Sequence, residues 1–543
     1  MLDYLIKNGK IVDGSGAEPF FGDIGVDGDE IVFINRTSFN ADNDNDNNAD
    51  KDIEAKNVID ATGLVVTPGF IDIHCHSDAV LFHESKNPQR LLQGFTTEVI
   101  GNCGMSLAPV NDKNLDLLKK YCDPHFSHMP IPYAWHSFGE YLAAVEECGP
   151  LLNTVALVGH GALRIAVAGF DDRRLEAAEL AKMKELLVES LDSGAFGFSS
   201  GLFYAPGVFS DEEEIVALAE IAARYGGIYS THLRSESVGL IKSVAETLRV
   251  TERTGVNTEF SHHKASGKAY FGNVKTTLQM IADANDRGFN VNCDVYPYIA
   301  ANTQFSSILP PWALEGGSDA LLRRLAEPEL RRKMIVDLKN EGTVYENLYQ
   351  LSGWDKIIIN ECTVAEYVGK TVEQIAAENG KDPFEMALEI IEHGDNSAMM
   401  IIELMSEADV SEVIAGRYSM ICTDGFPSLG KRHPRYTSSF IRVLEKYVKN
   451  EHLLTLSEAV YKMSGLPAQK LGLSDRGLLR PGYKADILIM DIDELHDNAD
   501  YERYDALADG MKFVFINGVA AMENGIDKQV CAGRVLRSTD YRL

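Results

Sequence analysis

Residues 67–78 read TPGFIDIHCHSD, and the fold turns on how that stretch ends. A short apolar run closes on His74-Cys75-His76. On a strand, residues i and i+2 share a face, so His74 and His76 point together and Cys75 points away. With the preceding residues this makes a β-like run over 65–76. Seven more such runs follow, at 96–103, 154–160, 196–202, 228–233, 258–264, 289–296 and 420–424. Helical patterns separate them. Residues 176–191 carry Leu180, Met183, Leu187 and Leu191 at helical spacing, and Ser210 with Glu213 reads as a capping box before another helix. Eight β–α alternations favour an α/β fold of the (β/α)8 TIM-like barrel type over an open sheet.

The two ends of the chain have a different texture. Residues 1–63 hold short apolar runs split by Gly and Asp turns, such as Asp27-Gly28-Asp29. β character returns after residue 478, with 484–491 and then 512–522 around the turn Asn517-Gly518. The expectation is a small β-sandwich made from 1–63 together with 478–543, beside a catalytic barrel over 64–477. The interval between the last two barrel runs is too long for one βα unit, so residues 305–415 should include an inserted helical subdomain. It lies near the active face as a lid, or it is a packing elaboration. Residues 40–54 are an Asn/Asp run unable to bury apolar surface. Asp42, Asp44 and Asp46 have the alternate spacing of a calcium loop, but its turn glycine and closing Glu are missing, which favours a solvated loop.

Composition bounds the function. The 543 residues carry a formal net charge of −30, which repels phosphate backbones and anionic lipid. Nucleic acid and membrane are therefore not expected partners. No apolar run approaches the ~18 residues of a membrane span, and no secretory signal pattern opens the chain. Eight scattered cysteines without a CxxC pair suggest reduced thiols and a cytoplasmic location. Oligomeric state is not legible.

The chemistry sits at strand ends. Besides His74 and His76, run two ends Gly101-Asn102-Cys103-Gly104, run five Thr231-His232-Leu233-Arg234, run six Ser261-His262-His263-Lys264, and run eight Cys422-Thr423-Asp424-Gly425. In a barrel such ends converge on one face. Strand periodicity selects His74, His76, Cys103, His232, His262 and Asp424 as the in-facing set. Taken singly, each is more often a packed or capping residue. Together, imidazole, thiolate and carboxylate at one focus suit zinc better than magnesium or calcium.

The motifs TPGFIDIHCHSD, GFTTEVIGNCG, ALVGHGALR, GAFGFSSGLFYAPG, STHLRSE, EFSHHK, DVYPY and the HPR after Asp424 occur in that order. In this the chain resembles the N-acyl-D-amino-acid deacylases (D-aminoacylases) of the amidohydrolase superfamily. KNGKIVDGSG and RPGYKADILIMD extend the resemblance to both ends. It implies a tightly held zinc on Cys103, His232 and His262, a second, weaker position bordered by His74 and His76, and Asp424 as catalytic acid/base. It also implies that Lys264 and Tyr204 hold the substrate's α-carboxylate, joined by a tyrosine of DVYPY, taken as Tyr296. The implied reaction is zinc-dependent hydrolysis of the amide of an N-acyl-D-amino acid, a small-molecule substrate. The run LGKRHPRYTSSF departs from the family's usual pattern and puts specificity in question. Lys431, Arg432 and Arg435 could pair with an acidic side chain, with Arg435 counted among the substrate-binding residues. A solvated basic loop reads equally well, and a hydrophobic or broad preference is favoured. The other readings are a D-glutamate- or D-aspartate-specific deacylase, a dipeptidase, a cyclic-amide hydrolase and a non-catalytic scaffold. The cyclic-amide branch uses a strand-four lysine, and AFGFSSGLFY has none.

Overall fold

The computed structural model describes residues 1–37, 53–83, 88–342, 345–428 and 430–542. The Asn/Asp run with Asp42, Asp44 and Asp46 lies outside the described residues. The chain opens with β1 (Leu2–Ile11), β2 (Phe20–Asp27), β3 (Glu30–Arg36), β4 (Ala55–Asp60) and β5 (Val65–Pro68). There follow β6 (Phe70–Asp72), β7 (Phe95–Ile100), β8 (Asn153–Ala156), β9 (Val158–Gly159), β10 (Gly197–Gly201), β11 (Ile228–His232), β12 (Asn257–Phe260) and β13 (Val291–Val295). Next come β14 (Ala300–Gln304), β15 (Ile357–Glu361), β16 (Met399–Glu403) and β17 (Ser419–Ile421). The last strands are β18 (Ile487–Met490), β19 (Met511–Ile516), β20 (Val519–Glu523) and β21 (Ile526–Asp527).

The run at 65–76 is two strands. Gly69 N donates to Asp486 O and Phe70 N to Gly94 O, so the chain changes partners at the glycine. A Cβ at Gly69 would meet Thr96 Oγ1 at 2.1 Å, so only glycine permits that close approach. β5 therefore pairs with β1 and β18 in a nine-stranded sheet formed by both ends of the chain, and β6 enters a parallel set with β7. The pairings trace one continuous sheet at the ends, where two stacked sheets are expected from the sequence. Its inner face buries Ile6, Ile11, Ile24, Val66, Ile487, Ile489 and Phe515.

The parallel strands fall in two groups, β6-β7-β8 and β9-β10-β11-β12-β13-β17. Leu157 separates β8 from β9 in the chain, and its N donates to Ile100 O. At the other seam a single bridge pairs Cys75 with Gly425, with Asp424 N donating to His74 O at 2.8 Å and His76 N to Gly425 O at 3.0 Å. The ladder is interrupted at that seam because Asp72 takes strand-like roles with its side chain: Oδ1 accepts from Thr423 N at 2.9 Å. Apart from β8 and β9, helices intervene between successive strands of this set, as in (β/α)8 architecture. Phe95, Val99, Val155, Ile228, Phe260, Val291 and Ile421 belong to one buried cluster.

The helix Ala177–Asp192 forms where the periodicity predicts it, burying Met183, Leu187 and Leu191. The Ser210/Glu213 capping box does not form. Asp211 caps instead, accepting from Glu214 N at 3.0 Å, because the Ser210 hydroxyl is used by Gly207 O. The long interval before β17 holds helices and also a three-stranded antiparallel sheet, β14-β16-β15. Among the described residues no helix is long and apolar enough to cross a membrane.

Candidate metal centre

Three of the strand-end residues leave their strands with left-handed backbone: Cys103 at φ 52°, His262 at 36° and Asp424 at 45°. Such conformations cost a non-glycine residue of order 1 kcal/mol or more and persist where the surroundings enforce them. Here each turns a side chain inward onto a common point. Candidate ligand atoms of His74, His76, Cys103 and Asp424 lie within 4.8 Å of one another, as do those of Cys103, His232 and His262. Cys103 belongs to both groups. Its Sγ is 3.3 Å from His74 Nε2 and 3.4 Å from His262 Nε2. Asp424 Oδ1 lies 3.4 Å from His74 Nε2 and 3.2 Å from His76 Nε2. All six are buried.

The electrostatics fit a cation. Burial pushes the Cys103 thiol up, but His74 and His262 outweigh it and hold the group well below the ordinary thiol value, as thiolate. For Asp424, burial again pushes upward; Arg435, 2.7 Å away, and the histidines win and hold it well below the usual carboxylate range. The imidazoles respond to this negative charge. Burial lowers His74, yet Asp294 and Cys103 raise it well above its usual value. Burial and Lys264 lower His262, and Asp424, Cys103 and Glu236 carry it up to about 9. The cluster thus draws positive charge to its centre, a demand that a divalent ion meets with the same donors. Burial keeps His232 low and neutral, and among the described residues its Nδ1 has no hydrogen-bond partner. A thiolate with neutral imidazoles is a borderline-soft donor set of the kind zinc takes.

The candidate ligands are themselves held. Asp294, at the end of β13, faces His74 Nδ1 at 3.4 Å and accepts from His262 N at 2.8 Å. Glu236 lies 3.0 Å from His262 Nδ1 and accepts from Lys264 Nζ at 2.8 Å. Carboxylates on the far nitrogen of a ligand histidine fix its tautomer and orientation. Neither residue is singled out by strand periodicity. Both lie inside quoted motifs, DVYPY and STHLRSE, and that is the only sequence signal they leave.

The family model described as "Amidohydrolase family" matches residues 57–535. The chain belongs to the amidohydrolase family. This amidohydrolase is 33% identical over 542 residues to a D-aminoacylase of Alcaligenes xylosoxydans xylosoxydans, covering 99% of this chain and 98% of that one. The solved N-acyl-D-glutamate deacylase of Bordetella bronchiseptica, complexed with zinc and a phosphonate mimic of the tetrahedral intermediate, superposes with a TM-score of 0.79 at 31% identity. That superposition covers 99% of each chain. The L-hydantoinase of Arthrobacter aurescens superposes at 14% identity with a TM-score of 0.55, over 99% of this chain and all of that one, which speaks to the fold alone.

The remaining expected residues also gather here. Lys264, Tyr204 and Tyr296 line a small pocket that includes Cys103, His232, His262 and Asp424. Lys264 Nζ lies on Glu236 and on His262 Nδ1, at 2.7 Å from the latter. The Tyr204 hydroxyl meets Thr303 Oγ1 at 3.0 Å. The Tyr296 hydroxyl is buried and, among the described residues, has no hydrogen-bond partner. Arg435 is not in a solvated basic loop: it is buried against Asp424 and over the Tyr296 ring. His125, one of the histidines without strand-end placement, is buried with its ring centroid 5.6 Å from Phe426, and burial lowers it to about 4, so it stays neutral.

Proposed function

We propose that this amidohydrolase hydrolyses the amide bond of N-acyl-D-amino acids, giving a carboxylic acid and a free D-amino acid. Cys103, His232 and His262 would hold zinc tightly, and His74, His76 and Asp424 would border a second, weaker position. The observation that carries the reading is the buried Cys103 thiolate shared by two donor groups. When bound, zinc supplies Lewis-acid polarisation of the amide carbonyl and makes water acidic enough to react near neutral pH. Asp424 accepts the proton of the attacking water and returns it to the leaving amine. Arg435 keeps that carboxylate ionised before the proton arrives. The Lys264 ammonium and the Arg435 guanidinium lie 5.7 and 4.5 Å from the Tyr296 ring centroid. Two cations beside an unpartnered hydroxyl suit an α-carboxylate, with Tyr204 on the neighbouring wall.

The two parallel sheets are read as one (β/α)8 barrel closed at the Cys75–Gly425 bridge, and residues 305–415 as a lid. The catalytic unit is taken as about 64–477 and the end domain as 1–63 with 478–543, β5 being shared with the latter. All eight cysteines are free thiols, which supports the cytoplasmic reading. A hydrophobic or broad side-chain preference is favoured over an acidic one, since Asp424 and the substrate's α-carboxylate between them take up Arg435. The test is metal analysis coupled to kinetics on N-acetyl-D-Met, D-Leu, D-Glu and D-Asp, their L forms, hydantoins and dipeptides. About one tight zinc per chain and D-selective turnover are expected. Turnover of hydantoins or dipeptides alone would defeat the reading, and clear preference for the acidic pair would reverse the specificity.

A further inference from the structure

We infer that the large cavity beside the metal cluster receives the acyl group, and that the enzyme is built for long or bulky apolar acyl chains. This rests on the deacylase reading above. The pocket holding Cys103, His232, His262 and Asp424 has a volume of only about 30 Å³, too small for a whole N-acyl amino acid. The body of a substrate must extend elsewhere. The cavity that adjoins it measures about 920 Å³, near the upper end of small-molecule sites, and shares Met105, Phe203, Tyr204 and Glu346 with the pocket as a common wall. An acetyl group would leave nearly all of it unfilled.

Its lining includes the apolar side chains of Leu117, Phe170, Val208, Leu309, Trp312 and Leu314. Lys120 and Arg234 reach it already paired, with Asp319 at 2.7 Å and Glu246 at 2.9 Å. Val238, 62% exposed, and the exposed Lys242 also line it. A mainly apolar wall with an exposed valine in it suits an apolar acyl chain. The direction follows from the anchors. Lys264 and Tyr296 line only the small pocket, so the carboxylate-bearing half is held there. The half across the scissile bond, the acyl group, then leaves through the wall formed by Met105, Phe203 and Tyr204.

The experiment is a chain-length series on one amino acid, N-acetyl- through N-decanoyl-D-alanine, with zinc-loaded enzyme, alongside N-acetyl derivatives of D-amino acids of growing side chain. Each buried methylene should raise kcat/KM roughly fourfold until the cavity fills. Leu117→Trp and Ser307→Trp, on separate elements of the wall, should each cut the octanoyl-to-acetyl ratio of kcat/KM by about tenfold or more. The ratio is read within each folded variant, so a general loss of activity does not imitate the effect. A flat or falling acyl series in an enzyme that turns over N-acetyl-D-alanine overturns the inference. So does a series that responds to side-chain length and not to acyl length. No turnover of any N-acyl-D-amino acid sinks the deacylase reading itself, and this inference with it.

Discussion

The mouth of the parallel strands and the sheet made by the chain ends obey opposite rules. At the mouth, Cys103, His262 and Asp424 sit in left-handed backbone, and thiolate, carboxylates and imidazoles are buried within a few ångströms of one another. In the end sheet the inner face is aliphatic and aromatic, and positive φ falls at turns such as Gly28 and Asn517-Gly518 and at Asn8, where β1 slips register against β2. One region concentrates backbone strain and buried, mutually paired charge; the other supplies packing. The contrast teaches that stability and chemistry are separated in this molecule, and that each should respond to different substitutions.

The sharpest break would come from the mouth. Asp424→Ala should lower kcat/KM by about 10²–10⁴-fold while the zinc proposed on Cys103, His232 and His262 stays bound and the melting temperature does not fall. Near-native turnover would remove Asp424 from its role. In the end sheet, Ile487→Ala empties space beneath a fully buried side chain and should cost about 2–5 kcal/mol in denaturant unfolding. The folded fraction should retain its kcat, and a matching loss of kcat would erase the distinction between the regions. Asp294→Asn tests the layer behind the ligands. It should weaken zinc about 10- to 100-fold in competition with a chromophoric chelator, with little change in far-ultraviolet dichroism. The smallest effect is expected at Gly28→Ala. A Cβ there meets open space, so only the φ of 60° resists it, at about 1 kcal/mol and with no change in activity.

Much of the mouth is legible in the sequence because strand period and strand end are local properties. His74 and His76 must share a face wherever their strand goes, and His232, His262 and Asp424 each follow an apolar run. Several details are not local. The break at Gly69 depends on Asp486, more than four hundred residues away, offering its carbonyl. The cap moves from Ser210 to Asp211 because Gly207 O takes the serine hydroxyl. Arg435 looks like part of an exposed basic run until the chain folds it onto Asp424.

By itself, the sequence determined the alternation of strands and helices and the residue types arriving at each strand's end, since periodicity and composition need no partner. Tertiary structure alone decided that Asp294 and Glu236 brace the imidazoles of His74 and His262, that Lys264 rests on Glu236, and that a wide, mainly apolar cavity adjoins a much smaller pocket. The physical reason is that distance, burial and volume arise only when segments remote in the chain exclude solvent together.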